Sequence, residues 1–373
     1  MAYGTVNADV IGTSVAGSNL GAGNATRFKN RIINGNMTID QRNAGASVTA
    51  TSTANFTYTL DRWAYNVSAS SKFTVQQNAG SVTPPAGFTN YLGVTSSAAT
   101  SVGSTDYYGI LQNIEGLNCT DLGFGTANAK TVTLSFWVRS SLTGTFGGGI
   151  LNSAQNRSYP FSYTISSANT WTQISVTLAG DTTGTWLTTN GIGIQVYFGL
   201  GIGSTYSGTA GTWAGSTYVS ITGATSVVGT SGATFYITGV QLEVGSSATG
   251  FEYVDYGTQL TMCQRYFEKS YEQNTAVGTA TQNNSVFQYL GGVSTIVNSS
   301  FCIKYSMTKR TSPTVTTYST ANTNTSGVMT SAANGANYAT NIVANGDTSF
   351  GVYWTQGSTN INATMQWTAS AEL

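Results

Sequence analysis

The sequence predicts an all-β protein: an antiparallel β-sandwich of the jelly-roll type, followed by a second, smaller β-rich domain. Eight segments alternate apolar and polar residues with the period of a strand, and Gly, Ser, Asn or Thr turns separate them. No helical periodicity lies between these segments, which favours antiparallel pairing. The chain has 44 Gly, 21 Tyr and 7 Trp, a composition typical of β-rich proteins with many turns.

The predicted strands are short and all of them end before residue 245. They comprise residues 31–39, 71–77, 107–115, 131–139, 159–165, 170–178, 191–200 and 233–244. Because side chains alternate between the two faces of a strand, matching apolar positions on three of these strands predict one common core. Its members are Val132, Leu134, Phe136, Ile194, Val196, Phe198, Val240 and Leu242.

Composition divides the chain into four parts. Residues 1–30 form an arm of mostly small residues, with too few large apolar side chains to fold alone. Residues 31–255 hold the sandwich. Residues 256–271 concentrate charge that is scarce elsewhere and form a short connector that could hold a helical turn or two. Residues 272–373 return to β-like runs and form the C-terminal domain.

Charge is unusually sparse in this chain. Only 8% of residues are charged, against about 25% in a typical soluble protein, and the 14 basic and 14 acidic residues cancel. No basic field attracts nucleic acid, and no apolar run is long enough to span a membrane. Such a surface suits an assembly better than a free monomer, so we expect a homotrimer with most of the second half at the interface.

Alternation also assigns the outward side chains of the three core strands. We expect six aromatic, amide or charged residues to share one non-core face: Trp137, Arg139, Gln195, Tyr197, Gln241 and Glu243. A flat aromatic ring that covers a pyranose, with amides and charges that bind hydroxyls, is the chemistry of sugar recognition. A cross-strand Arg–Glu pair, or a face covered by a neighbouring subunit, explains the same residues without a ligand.

Catalysis finds little support in the sequence. The chain contains no histidine, which excludes Ser-His-Asp and Cys-His arrangements and zinc sites of the Cys/His kind. A glycosidase needs only two carboxylates, and four are available, although their local contexts are typical of strand and turn positions. They are Asp61, Glu115, Glu243 and Glu252. We therefore expect no enzymatic activity.

Several stretches together resemble one family. NRIINGNMTIDQRNAG followed by LDRW, then LQNIEG, TVTLSFWVRSS and FYITGVQLEVGSSATGFE, resemble the strands of jelly-roll carbohydrate-binding modules of the galactose-binding-like type. With CQRYFEKSY and the final WTASAEL, the wording is similar to bacteriophage tail-fibre and virion appendage proteins. The resemblance covers about residues 27–271 and the last few residues.

The resemblance implies a virion structural protein, usually trimeric, that often binds host surface glycans. The arm would then attach the protein to other virion proteins, and the protein would fold in the host bacterial cytoplasm before exposure on the particle. A structural calcium ion is common near the first strand of such modules, where Asp40 and Asp61 are the candidate ligands; no other cofactor is expected.

Three functions remain open at this point. The first is a non-enzymatic tail fibre that binds a host cell-surface glycan. The second is a structural head fibre or capsid decoration protein built on the same sandwich. The third is a polysaccharide-depolymerising tailspike.

Overall fold

The computed structural model of the protein describes residues 28–52, 56–290, 297–332, 334–356 and 361–373. Side chains of residues 287–299 and 355–362 are not described within these ranges. Of the predicted arm, residues 1–27 lie outside the described residues. The backbone N–H groups of Lys29 and Asn30 donate to the Glu252 carboxylate, which ties the start of the described chain to the sandwich.

The first part of the chain contains fourteen described strands. In chain order they are β1 (Val48–Thr49), β2 (Thr57–Leu60), β3 (Trp63–Val67), β4 (Phe73–Gln77), β5 (Leu92–Ser96), β6 (Tyr107–Glu115), β7 (Val132–Ser140), β8 (Gly144–Leu151), β9 (Ser158–Ile165), β10 (Thr172–Leu178), β11 (Ile192–Ile202), β12 (Ser207–Gly208), β13 (Ser220–Ile221) and β14 (Thr234–Val244).

Twelve of these strands form two antiparallel six-stranded sheets, as predicted for a sandwich. Sheet A has the order β1-β4-β5-β14-β7-β10, and sheet B has the order β2-β3-β6-β11-β8-β9. The remaining two, β12 and β13, form a short parallel ribbon. Strands that are distant in sequence are neighbours in both sheets, which is the pattern of a jelly roll rather than of consecutive hairpins.

The inward side chains of the two sheets form one core. All eight residues predicted for it are buried there, among them Phe136 from sheet A and Phe198 from sheet B, whose rings meet at 5.1 Å with an edge-to-face angle of 80°. Alternation was therefore sufficient to identify the core face of each long strand.

The segment 31–39 was predicted as a strand, and this prediction is wrong. Residues 33–36 form a turn, and Asn34 and Met37 both have φ near 59°. Asparagine tolerates the left-handed region better than most residues, so Asn34-Gly35-Asn36 is a turn sequence. Gly35 is required there because a Cβ atom at this position would lie 2.1 Å from the carbonyl oxygen of Val240.

The second part of the chain begins with helix α1 (Tyr256–Gln264) and contains eight further described strands. They are β15 (Phe267–Lys269), β16 (Val286–Leu290), β17 (Val297–Lys304), β18 (Thr314–Tyr318), β19 (Val328–Ser331), β20 (Asn337–Val343), β21 (Ser349–Gln356) and β22 (Ile361–Ser370). The predicted connector 256–271 thus contains α1, which Asp255 caps by accepting from the Thr258 N–H at 3.0 Å, and also β15.

The strands of the second part form sheet C around the long strand β22. The order is β15-β22-β19-β20-β21-β17, and β16 and β18 also pair with β22. A separate core contains Met329, Phe350, Val352, Trp354 and Met365. The two separate cores divide the chain into two β-rich parts. The predicted domain boundaries stay predictions.

Charged side chains join the two parts. Glu372, next to the last residue, pairs with Arg42 at 2.8 Å and with Arg62, whose guanidinium lies 3.6 Å from the centre of the Tyr266 ring. Arg265 forms a two-bond ion pair with Glu115 at 2.6 and 2.9 Å. The few charges of this chain are therefore largely used inside the molecule. Within the described residues, no helix has the length and apolarity needed to cross a membrane.

Candidate functional site

The six residues predicted to share one outward face do not share it. Trp137 and Arg139 lie on β7 and Gln241 and Glu243 on β14, all in sheet A, whereas Gln195 and Tyr197 lie on β11 in sheet B. The outer faces of a two-sheet sandwich point in opposite directions. Alternation identified the outward side of each strand correctly, but it contains no information about which sheet a strand joins.

On sheet A, Gln241 and Glu243 bind the protein's own chain. Glu243 accepts from the Thr249 N–H at 2.8 Å and from its hydroxyl at 2.6 Å, and Gln241 accepts from the Glu252 N–H at 2.8 Å. Lys29 lies 4.0 Å from the Glu243 carboxylate. Both side chains are buried, so they hold the segment after β14 against the sheet rather than face solvent.

On sheet B, Gln195 and Tyr197 are also covered. Gln195 donates to Asn113 and accepts from Gln155, both at 2.9 Å. Tyr197 packs with a buried group that includes Val219 from the segment around β12 and β13, and burial raises the pKa of its hydroxyl. The outer face of sheet B is filled by the chain itself at these positions, and neither residue is available to a ligand.

Trp137 and Arg139 are the two predicted residues that remain accessible. Trp137 is only partly buried, and across the ladder its neighbour on β10 is Gln173, which is exposed. The Arg139 Nε donates to the Asn169 carbonyl at 2.9 Å, and its two Nη groups have no partner within the described residues. We call Trp137, Arg139, Gln173 and the exposed Ser175 the sheet A platform.

The acidic candidates are engaged by groups of the protein itself. Asp61, Glu115 and Glu243 are buried in internal networks, and Asp61 accepts from the Gln41 backbone and side chain at 2.7 and 2.6 Å. Asp40 instead accepts from the N–H groups of the following turn at Asn43 and Gly45. In the described ranges, no group of three or more His, Cys, Asp or Glu could hold a metal ion.

Burial and its partners set the ionisation of the acidic groups. Burial raises the pKa of Asp61 from 3.8 to about 6. Burial also opposes ionisation of Glu115, but hydrogen bonds from Arg265 and Tyr266 outweigh it and lower the pKa of that carboxyl. Each shift therefore follows from burial and from partners inside the molecule.

A concave surface lies elsewhere on the described part of the chain, between the turn at 33–36, the segment 251–255 and helix α1. This cleft has a volume of about 580 Å³, within the usual range of ligand sites. One wall is apolar and includes Phe28, Ile33 and Met262, and the opposite rim carries Tyr253, whose side chain is 59% exposed. Its polar lining residues are Asn30, Asn34, Asn36, Glu252, Asp255, Thr258 and Gln259.

Sequence reasoning missed Gln173 and the whole cleft. Gln173 alternates outward in a predicted strand, so the pattern could have found it, but its position opposite Trp137 requires the pairing of β7 with β10. The cleft joins residues more than 200 positions apart, and the erroneous strand at 31–39 concealed the turn that forms its floor.

Comparisons with known proteins find similarity in structure only. No family model matches the chain, and the search of curated proteins gave no significant match. The solved structures that are similar include the enzymatically active domain of bacteriophage CBA120 tailspike protein 4, with a TM-score of 0.30 and 13% identity. That match covers 58% of this chain and 22% of the tailspike chain.

Two further similar structures are binding modules. The family 11 carbohydrate-binding module of Clostridium thermocellum, in complex with a β-1,3-1,4-mixed-linked tetrasaccharide, has a TM-score of 0.27 and 12% identity, with 54% of this chain and 98% of that chain covered. The N-terminal cellulose-binding domain of Cellulomonas fimi β-1,4-glucanase C has a TM-score of 0.24 and 15% identity, with 43% and 82% covered. At these values the similarities assign no ligand and no assembly to this chain.

Proposed function

We propose that this protein binds glycans without catalysis and that the sheet A platform is its contact surface. One observation carries the proposal: the Trp137 ring is partly open to solvent, between an exposed amide at Gln173 and an incompletely bonded guanidinium at Arg139. An aromatic ring can cover the apolar face of a pyranose, while the amide and the guanidinium bind its hydroxyls. Inside the fold, Arg139 also lies 5.5 Å from the centre of the Tyr236 ring, which holds the guanidinium over the outer face of sheet A.

The absence of catalysis is part of this proposal. The four carboxylates considered for a glycosidase are engaged with the protein's own groups: Asp61 with Gln41, Glu115 with Arg265, Glu243 with Thr249, and Glu252 with the backbone of Lys29 and Asn30. A retaining or inverting glycosidase needs two carboxyl groups that reach one glycosidic bond. These engagements support a binding protein over a depolymerising tailspike.

The biological setting follows from the sequence resemblance and is proposed on that ground. We place the protein in a phage virion as a tail-fibre or receptor-binding protein, homotrimeric, attached through its N-terminal arm and folded in the host cytoplasm. Weak binding at each platform would be multiplied by roughly 10²–10⁴ when several copies engage one cell surface. A head fibre or capsid decoration protein is the alternative, and location in the particle by cryo-electron microscopy separates the two.

Binding to immobilised host surface polysaccharide tests the platform. Trp137→Ala removes the ring and should lower affinity by about fivefold, because stacking contributes about 1 kcal/mol. Tyr256→Ala, which removes another exposed aromatic ring from α1, serves as the matched control and should leave binding unchanged. Equal binding by Trp137→Ala and the parent, or a loss that occurs only together with unfolding, would reject the platform as the contact surface.

A further inference from the structure

Three side-chain amides form the floor of the cleft beside α1. The orientation of each amide fixes that of the next. Asn34 is buried, its Oδ1 accepts from the Ile39 N–H at 2.9 Å, and its Nδ2 donates to the carbonyls of Ile39 and Asp61 at 2.9 and 3.0 Å. Because a backbone N–H can only donate, the Asn34 amide has one allowed orientation. The position of the Asn34 Oδ1 then fixes the orientation of the Gln259 amide.

The orientation of the Gln259 amide on α1 follows from that of the Asn34 amide. Its side chain is buried to 6% exposure, and its Nε2 lies 2.7 Å from the Asn36 Oδ1 and 3.5 Å from the Asn34 Oδ1. Because the Asn34 Oδ1 can only accept from Gln259, the Gln259 amide nitrogen lies on this side. Gln259 lines the cleft, and its Oε1 accepts no hydrogen bond within the described part of the chain.

The hydrogen bond from the Gln259 Nε2 also fixes the orientation of the Asn36 amide. Since its Oδ1 accepts from Gln259, its Nδ2 is directed elsewhere, and that group also has no partner among the described residues. A fixed acceptor on Gln259 and a fixed donor on Asn36 thus flank a single hydrogen bond at the cleft floor. Polar groups that line a cleft and are held in one orientation by a hydrogen-bonded network can bind a ligand directly.

We propose that this cleft is a second binding site and that its ligand is a neutral hexopyranose recognised through two adjacent hydroxyls. One hydroxyl donates to the Gln259 Oε1, and its neighbour accepts from the Asn36 Nδ2. The apolar face of the ring lies against the exposed ring of Tyr253 at the rim.

Charge at the cleft favours a neutral ligand over an acidic one. Among the described residues that line it, Glu252 and Asp255 are carboxylates and none is Lys or Arg. Hydrogen bonds from Thr258 lower the pKa of Asp255, which is therefore an anion at neutral pH. A uronic or sialic acid would meet these like charges without a compensating cation. This site does not depend on Trp137, so the two sites can fail separately.

Saturation-transfer NMR with the methyl glycosides of glucose, galactose and mannose, at millimolar concentration, tests the site on the full chain. At least one should bind, and its analogue lacking one hydroxyl of the recognised pair should bind about tenfold or more weakly, because one fixed group loses its partner. Asn36→Ala and Gln259→Met should each produce a similar loss. Asn334→Ala, which removes an exposed turn amide from the second part, is the matched control and should bind as the parent does.

Trp137→Ala should retain binding at the cleft, which separates this site from the platform. Binding of none of the three glycosides overturns the proposal, and so does equal binding by Asn36→Ala, or by the deoxy analogues. N-acetylglutaminamide carries a primary amide with the same donor and acceptor arrangement. If it binds as tightly as the best glycoside, the cleft recognises a protein side chain and the sugar assignment is wrong.

Discussion

The outer faces of the two sheets have similar residues but different surroundings. On sheet B, the segment around β12 and β13 covers Tyr197, and the carbonyl of Leu373 accepts from Tyr58 at 2.7 Å and from Asn113 at 3.2 Å. On sheet A, the segment after β14 covers one end, while Trp137 and Gln173 remain accessible. Whether an outward polar residue is structural or available to a ligand is decided by what the rest of the chain lays over it.

This difference separates two kinds of substitution. A polar residue on a covered face has exchanged its water for fixed partners, so its removal leaves buried groups unpaired and lowers stability. A polar residue on an open face is still hydrated, so its removal should change binding and little else. The expected loss of stability therefore decreases from substitutions on covered faces to substitutions on the open face.

The contact of the C-terminal residues with sheet B should give the largest effect. Glu372→Gln keeps the shape of the side chain. Among the described residues, it removes the only carboxylate that forms ion pairs with both Arg42 and Arg62. A buried arginine without its counter-charge costs about 3–5 kcal/mol. Urea unfolding should show this loss, and Glu272→Gln, at an exposed position, is the control that should change little. A loss below about 1 kcal/mol would mean that Arg62 is adequately solvated.

The pH dependence of stability should reveal the buried Asp61 beside β3. Burial raises the pKa of Asp61 in the folded state to about 6, whereas an unperturbed aspartate has a pKa of 3.8. Between these pH values the folded state binds the proton and the unfolded state releases it. Stability is therefore greatest below about pH 4 for this group and falls as pH rises to about 6. The fall is at most about 3 kcal/mol, from a shift of about two pKa units.

Asp61→Asn isolates this effect, because the variant cannot titrate there. The difference in free energy of unfolding between parent and variant should change by about 2 kcal/mol from pH 4 to pH 6, whereas contributions from groups such as Glu115 cancel. A constant difference across this range would show that Asp61 is ionised in the folded protein throughout.

On the covered end of sheet A, Glu243→Gln should cost about 1–3 kcal/mol. The substitution removes the charge from hydrogen bonds with the Thr249 N–H and hydroxyl, and from the nearby Lys29. From the sequence alone Glu243 was a candidate to bind sugar, whereas its contacts predict a fully retained affinity for glycans. Thermal unfolding and glycan retention, measured on the same preparation, distinguish the two roles. Weakened retention at unchanged stability would restore the binding role.

The sequence predicted the fold class and the core more successfully than the site. Alternation is a local property, so it placed Phe136, Phe198 and Leu242 in the core without knowledge of strand order. A shared face depends on which strands become neighbours, and β11 joins a different sheet from β7 and β14. The cover over Gln195 and Glu243 comes from distant segments, and no local pattern reports it. Trp137 stays partly accessible, and its outward position could be predicted from alternation alone.

Two glutamines provide the most direct comparison of the two faces. Gln195→Ala on sheet B should cost about 1–3 kcal/mol, because it removes the donor to the buried Asn113 Oδ1 and the acceptor of the Gln155 Nε2. Gln173→Ala on sheet A should change stability by less than about 0.5 kcal/mol, because the side chain is exposed and makes no hydrogen bond within the described residues. The same pair should behave in the opposite way in glycan retention, where only Gln173→Ala weakens binding. Equal losses of stability at both positions would show that the platform is covered in the folded protein, and the distinction between the two faces would then fail.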